Sequence, residues 1–323
     1  MNIGRRRFLA AGTAALLPLP SIARAQSYPA RSLRWIIGFP AGGGADTVAR
    51  IMEPWLSKRL GQPVIIENRP GASTNIAVQA VVNAPADGYT LLWLGLSSVV
   101  NASLFLNLPF DIQRDIDPVS GIVDYPMVMV ANPAVPASNV RELIAYAKAN
   151  PGKVTMASFG TGSASHLAGE LFKFMAGIDM VHVPYRGGAP MTADLVGGQV
   201  NVGFDVMVTA LPQIRSGKLR ALGVLGAKRF ELLPDIQAVA ETVPGYEAST
   251  WAGMGAPRGT PPDIIAKLNR EISEGLAQPD IRARLADVGT VPLVAGPAQF
   301  KAYIAAEAAK WDKVVKTAGI KPQ

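Results

Sequence analysis

The chain has 323 residues, of which 31 are Lys or Arg, 24 are Asp or Glu, two are His and none is Cys. The absence of cysteine excludes disulfides, thiolate metal sites and cysteine nucleophiles. Because 49% of the residues are hydrophobic and only 17% are charged, a large core is available, and the length fits two domains of ordinary size.

The first 25 residues have the three parts of an export signal. Residues 5–7 are arginines, residues 8–19 are apolar, and Ala23-Arg24-Ala25 predicts cleavage after Ala25 and a periplasmic protein. The apolar part is too short to cross a bilayer. Arginines followed by Phe8 and Leu9 favour the twin-arginine route, whereas Gly4 stands where that pattern prefers Ser or Thr, so ordinary secretion remains the alternative.

The positive charge of the chain resides mostly in this signal. Removing its four arginines from the 31 basic residues leaves 27 against 24 acidic ones, a net charge of +3. Such a small charge without a basic run argues against nucleic-acid binding and is compatible with attracting a small anion.

Short apolar runs alternate with longer amphipathic ones along the rest of the chain. The runs predict strands at 33–39, 64–67, 90–94, 127–131, 154–158, 180–183, 200–204, 221–225 and 250–253. Strands alternating with helices predict an α/β fold built on largely parallel sheets. Crossings near 124–126 and 244–246 would make residues 26–125 plus 247–323 lobe I and residues 126–246 lobe II.

A glycine-rich turn joins the first predicted strand to a helix. Helix N-terminal amides have no intrahelical partner and attract anions, and glycines let a ligand approach them. Asp46 is interpreted mainly as the N-cap of the helix. The turn gives these candidate ligand-binding residues: Phe39, Pro40, Ala41, Gly42, Gly43, Gly44, Ala45 and Asp46.

The same arrangement recurs at "SFGTGSAS". Facing turns in two lobes would hold a small molecule at both ends, because ligands of open parallel sheets bind beyond the carboxyl ends of the strands. Polar turns at 67–77 and 183–188 add to the pattern. The second turn gives these candidates: Ser158, Gly160, Thr161, Gly162, Ser163, Ala164 and Ser165.

Asp205 follows an apolar strand and should lie at its carboxyl end. It could pair with a ligand cation or orient a hydroxyl, or it could simply anchor a loop. Arg186 could likewise bind an anion, or it could be a solvated charge in a loop.

Other chemistry has little support in the sequence. Gly160-Thr161-Gly162 lacks the third glycine and the acidic residue of a dinucleotide fingerprint, so we expect no cofactor. His166 and His182 have no companions at ligand spacing, which argues against a metal. His166 is better interpreted as a packing or capping residue than as a base, and no nucleophile-elbow motif occurs. We therefore expect no catalytic residues.

The ordered set "GGGADTVARIM", "GQPVIIENRPGA", "APADGYTLL", "HLAGELFKFMAGIDMVHVPYRGGAPMTADLVGGQVNVGFD", "SGKLRALGV" and "GTPPDIIAKLN" resembles the tripartite tricarboxylate transporter receptors, or Bug receptors. The resemblance covers essentially the whole mature chain. It implies a periplasmic solute-binding protein of the type II fold that closes on a carboxylate or dicarboxylate and passes it to a two-protein permease.

In that family the turns matching 39–46 and 158–165 hold the carboxylates, and the position of Asp205 lines the cleft. This chain departs from the common pattern in several places. Ser73 and Thr74 replace glycines, Ala45 replaces a threonine, and Thr161 replaces an asparagine or serine. These differences leave the ligand itself open.

The sequence thus predicts a monomeric binding protein and not an enzyme. Two alternatives stay open. One is a sensor subunit that presents its closed form to a signalling partner. The other is an exported enzyme acting on a carboxylate, with Asp205 or His166 as its base.

Overall fold

The computed structural model describes residues 28–320. The predicted export signal and its cleavage site lie outside the described residues. Within them, no helix is long and apolar enough to cross a membrane.

Strands and helices alternate through most of the described chain. The strands are β1 (Leu33–Ile37), β2 (Val64–Asn68), β3 (Thr90–Gly95), β4 (Ile116–Tyr125), β5 (Met127–Ala131), β6 (Thr155–Ser158), β7 (Val181–Pro184), β8 (Val202–Val206), β9 (Arg220–Val224), β10 (Thr250–Pro257) and β11 (Val291–Pro292). The helices are α1 (Gly44–Leu60), α2 (Asn75–Val82), α3 (Leu96–Leu104), α4 (Ile112–Asp115), α5 (Val140–Ala149), α6 (Ala164–Ala176), α7 (Gly188–Val196), α8 (Met207–Arg215), α9 (Pro262–Ala277), α10 (Pro279–Asp287) and α11 (Pro297–Thr317). Short 3-10 turns occur at Ala72–Thr74 and Val239–Glu241.

The strands form two sheets. The first has the order β11-β4-β10-β3-β1-β2 and the second β7-β6-β8-β5-β9. We call the first sheet with α1–α4 and α9–α11 lobe I, and the second with α5–α8 lobe II. The chain passes from the first sheet to the second at Pro126 and returns between Val224 and Thr250. The predicted α/β fold with two crossings is confirmed, whereas the residue boundaries of the lobes stay a prediction.

Both sheets are mixed, and not largely parallel as the sequence suggested. β1 pairs in parallel with β2 and β3, and β6 with β7 and β8. The antiparallel pairs all involve β4, β5 or β10. These strands lie next to the crossings, where the chain enters or leaves a sheet without the helical crossover that parallel pairing requires.

Helix α1 shows how the sequence positions the site. Its apolar residues Val48, Met52 and Leu56 recur at helical spacing and are buried, and Gly61 ends the helix in the left-handed conformation. Residues of β1, including the fully buried Trp35, belong to the same core. The turn between β1 and α1 is therefore fixed at both ends by packing.

Candidate functional site

A cavity lies between the two lobes. It is lined by Phe39, Gly43, Gly44, Ala45, Trp93, Gly95, Leu96, Ser97, Tyr125, Phe159, Ala164, Gly188, Val206, Thr209, Thr250, Trp251 and Ala252. None of these lining residues carries a charged side chain. A ligand here would contact backbone, hydroxyls and aromatic rings from both lobes.

Five helices begin at this cavity. Residues of the first turn or N-cap of α1, α3, α6, α7 and α8 are all among its lining. Four of these helices, α1, α3, α7 and α8, have no side-chain hydrogen bond at the N-cap. No side chain therefore caps these N-termini, although the Met207 amide of α8 donates to the Pro126 carbonyl. The remaining first-turn amides and the positive ends of the helix dipoles favour an anion, while the lining itself carries no formal positive charge.

The first predicted turn contributes directly to this lining. Phe39, Gly43, Gly44 and Ala45 line the cavity. Asn68 at the end of β2 fixes the turn by donating its side-chain N–H to the Phe39 carbonyl, at 3.0 Å. The two residues at the tip of the turn, Ala41 and Gly42, are exposed.

Asp46 is not the N-cap of α1, and this part of the interpretation was wrong. Gly43 is the N-cap, and Asp46 lies three residues later. Its Oδ2 accepts hydrogen bonds from the Gly42 amide at 3.0 Å and from Arg50 Nε at 2.9 Å. Asp46 thus reaches back past the N-cap to the Gly42 amide and ties the turn together.

The Asp46 carboxylate stays ionised in this position. Burial alone would raise its pKa, but the hydrogen bonds from Arg50 and Gly42 outweigh burial and lower the pKa. Asp46 is only 4% exposed and does not line the cavity. Its carboxylate therefore interacts with its own turn and not with a ligand.

The second predicted turn presents its backbone more than its hydroxyls. Ser163 caps α6 by accepting from the His166 amide, and Ser165 donates to the Phe204 carbonyl. Ser158 Oγ lies 2.6 Å from His182 Nε2. Of this turn, Phe159 and Ala164 line the cavity. The serine hydroxyls are already engaged within lobe II, so their role as ligand contacts stays a prediction.

A stacked histidine pair supports the second turn. The rings of His166 and His182 lie 4.1 Å apart with an angle of 27° between their planes. His166 Nδ1 accepts a hydrogen bond from the Gly162 amide at 3.2 Å, which requires a neutral Nδ1. Burial lowers the pKa of His166 to about 3 and that of His182 to about 4. Packing, as interpreted from the sequence, is therefore the observed role of His166.

Asp205 is fully buried behind the cavity wall. Its Oδ1 accepts from the Val206 amide at 2.7 Å and from the Thr209 hydroxyl, and Thr192 lies 3.4 Å from Oδ2. Burial raises the pKa of this carboxyl to about 7, in spite of the opposing hydrogen bonds. Val206 and Thr209 line the cavity, whereas Asp205 does not. Asp205 therefore holds two lining residues in place from behind.

The two lobes touch around the cavity. Ser73 Oγ of lobe I donates to the Thr161 carbonyl of lobe II. A Cβ atom placed on Gly187 would lie 2.6 Å from Pro40 Cδ, and one placed on Gly162 would lie 2.8 Å from Leu104 Cδ1. Candidate residues Pro40, Thr161 and Gly162 thus lie where the lobes meet, and the cleft is closed.

Many of the residues that line the cavity were not predicted from the sequence. Gly95, Leu96 and Ser97 could have been found, because they form another glycine turn between a strand and a helix. Gly188 belongs to the "VPYRGG" turn. The others are brought in only by the tertiary fold: Trp93, Tyr125, Val206, Thr209, Thr250, Trp251 and Ala252.

Two α/β lobes joined by two crossings and closed over a cleft of helix N-termini define the class as a periplasmic binding protein. The family model described as "Tripartite tricarboxylate transporter family receptor" matches residues 48–320. The chain therefore belongs to this receptor family, which confirms the resemblance noted in the sequence.

Known relatives and solved structures agree with this assignment. Protein BugT of Bordetella pertussis is 40% identical over 300 residues, covering 92% of each chain. R. palustris Rpa4515, solved with adipate, has a TM-score of 0.89 and 36% identity, and the match covers 92% of this chain and 100% of that one. MatC from Rhodopseudomonas palustris, solved with malate, has a TM-score of 0.85 and 34% identity, with 89% and 100% covered.

Proposed function

We propose that the mature chain is a monomeric periplasmic receptor that captures a small organic carboxylate between its lobes and delivers it to a tripartite tricarboxylate-type permease. Export would follow the twin-arginine route with cleavage after Ala25, and the lobes would be residues 26–125 plus 247–323 and residues 126–246. The observation that carries the proposal is the convergence of five helix N-termini on one uncharged cleft. Adipate and malate in the two similar structures support a carboxylate ligand.

Binding would act through closure of the lobes. The anion would accept hydrogen bonds from α1 and α3 on one side and from α6, α7 and α8 on the other, so it stabilises the closed form over the open one. Charge-assisted hydrogen bonds contribute roughly 1.5–3 kcal/mol each, so four to six of them support micromolar affinity after association costs.

The position of the two possible bases supports a receptor over an enzyme. Asp205 and His166 do not line the cavity, and both carboxyl oxygens of Asp205 and Nδ1 of His166 are hydrogen-bonded to protein groups. The lining residues also include no other acid or base able to transfer a proton at neutral pH.

The proposal is tested by ligand-induced thermal shifts and calorimetry of residues 26–323 with mono-, di- and tricarboxylates. Gly44→Val is the informative variant. Even a Cβ atom on Gly44 would lie 3.1 Å from Val206 Cγ2 in the other lobe, so a branched side chain obstructs closure. Gly44 does not have a positive φ, so the substitution imposes no left-handed strain.

Gly296→Val is the matched control, because Gly296 is also at a helix start, has no positive φ and has nothing within 4 Å of an added Cβ. We expect Gly44→Val to reduce carboxylate affinity at least about tenfold and the control to leave it unchanged. Equal affinities for both variants, or no carboxylate response in the unmodified protein, would contradict the proposal.

A further inference from the structure

We infer that the ligand is an aromatic carboxylate: a carboxylate with a ring-sized apolar body and no ammonium group. The inference rests on the proposed function and narrows its ligand class. It depends on two features of the lining: its aromatic residues and the absence of a charged side chain.

Aromatic residues from both lobes form much of the wall of the cavity. Phe39, Trp93, Tyr125 and Trp251 come from lobe I, and Phe159 comes from lobe II. A ligand ring between them would remove apolar surface from water on several sides. Offset or edge-on contacts between rings stabilise such a complex beyond the burial of area.

Packing behind the wall holds its two tryptophans in place. Trp93 is 4% exposed, and its ring centroid lies 5.2 Å from that of Trp35. Trp251 is 2% exposed and meets Phe300 edge-on at 5.4 Å. Because these rings are already fixed, a ligand does not have to order them, and the wall keeps its apolar character.

The lining includes no carboxylate for a ligand cation. Three acids are adjacent in sequence to lining residues, and none of them lines the cavity: Asp46, Asp124 and Asp205. Asp46 binds Gly42 and Arg50 through Oδ2, Asp124 accepts from Tyr303, and Asp205 is fully buried against Val206 and Thr209. An α-ammonium enclosed by the closed lobes would lose its water without gaining a carboxylate, and contact with aromatic faces offsets only part of that loss. Amino acids are therefore disfavoured.

Helix N-termini supply the polar part of the lining, and aromatic residues supply an apolar part. Trp251 lines the cavity, but its indole N–H is itself buried and has no hydrogen-bond acceptor among the described residues, so it adds no polar contact for a ligand. A carboxylate at the N-termini beside an apolar ring therefore matches the lining.

The test measures dissociation constants of residues 26–323 by calorimetry, with tryptophan fluorescence as a second readout because Trp93 and Trp251 line the site. Phenylacetate is the reference ligand, and each comparison changes one feature of it. Phenylalanine adds an ammonium group, malate and adipate lack the ring, and phenylacetamide lacks the negative charge. We expect phenylacetate to bind at least about tenfold more tightly than each of the others.

Phe159→Gln tests the wall, because Phe159 is only partly buried and its replacement should leave the fold intact. We expect this variant to weaken phenylacetate about tenfold and malate less than about twofold. Phe174→Gln is the control, since Phe174 is 54% exposed on α6 and does not line the cavity; it should change neither constant.

The possible failures can be told apart. Tighter binding of malate, adipate or phenylalanine, or unchanged phenylacetate affinity in Phe159→Gln, would overturn the aromatic assignment and leave a carboxylate receptor. Absence of binding by every carboxylate, or equal binding of phenylacetamide, would overturn the proposed function together with it.

Discussion

Asp205 Oδ1 accepts a hydrogen bond from the hydroxyl of Thr209, and Thr209 lines the cleft between the lobes. A fully buried carboxyl therefore sits directly behind a hydroxyl that a ligand can touch. Burial is the largest influence on this group and raises its pKa to about 7. Its charge consequently changes near neutral pH, which affects both folding and binding.

Asp205→Asn should stabilise the protein at alkaline pH. A carboxyl whose pKa is raised in the folded state contributes stability below its unfolded pKa, near 4, and loses it as the pH rises through about 7. Asparagine has no such loss. In urea unfolding, we expect the variant to gain about 2 kcal/mol on the unmodified protein between pH 5 and pH 8. A constant difference over this range would contradict the expectation.

The same carboxyl should make ligand affinity depend on pH. Once ionised, Asp205 repels an anion on the other side of Thr209, whereas no formal positive charge lines the cavity to screen it. We expect carboxylate affinity to fall about fivefold from pH 6 to pH 8, and binding near pH 7 to take up part of a proton. Calorimetry in buffers of different ionisation enthalpy measures the uptake. Asp205→Asn serves as the control and should show neither effect.

Ser73 should stabilise the closed form across the cleft. It occupies the left-handed region (φ 52°, ψ 46°), which is costly for a residue with a side chain, while its hydroxyl donates to the Thr161 carbonyl of the other lobe. Ser73→Ala should weaken ligand binding about fivefold by removing this hydrogen bond, with no gain in stability.

Ser73→Gly separates the two effects. It removes the same hydroxyl and also relieves the backbone, so we expect the same loss of affinity together with a gain of about 1 kcal/mol in the free energy of unfolding. Unchanged affinity in both variants would show that the contact with Thr161 does not contribute to closure.

The sequence predicted the elements whose pattern is local. The glycines before α1 and α6 indicated strand-to-helix turns, and both turns reach the cavity. β4 was missed because Pro118 and Gly121 interrupt its apolar pattern, and its register with β10 shifts twice. The antiparallel pairs were missed for a related reason, since pairing around the crossings depends on contacts distant in sequence.

The site was only partly predictable for the same reason. A turn motif identifies backbone amides, but it does not show which side chains reach the ligand. Trp93 and Trp251 come from neighbouring strands that are remote in sequence, so only the pairing of β3 with β10 brings them to the same cavity. Conversely, the hydroxyls of Ser163 and Ser165 matched an anion-binding pattern, yet they serve a helix cap and a backbone carbonyl.

The stacked histidines should make the protein sensitive to acid. Both rings are neutral in the fold, because burial lowers the pKa of His166 to about 3 and of His182 to about 4. Their usual pKa is near 6.5, so below that pH the unfolded chain binds protons that the folded chain does not, and stability falls as the pH decreases. Each histidine should contribute a slope of up to about 1.4 kcal/mol per pH unit between pH 6.5 and its own folded pKa.

The window from pH 6.5 to pH 5 tests this best, since most carboxyls titrate lower. Asp124 and Asp205 have raised pKa values of about 6 and about 7, and they oppose the trend in the unmodified protein. The double variant His166→Gln with His182→Gln retains both carboxyls, so the difference between the two proteins isolates the histidines. We expect the double variant, destabilised at pH 7 by the lost stacking, to lose less stability than the unmodified protein on going to pH 5. Parallel pH profiles for the two proteins would show that the histidines are not kept neutral by the fold.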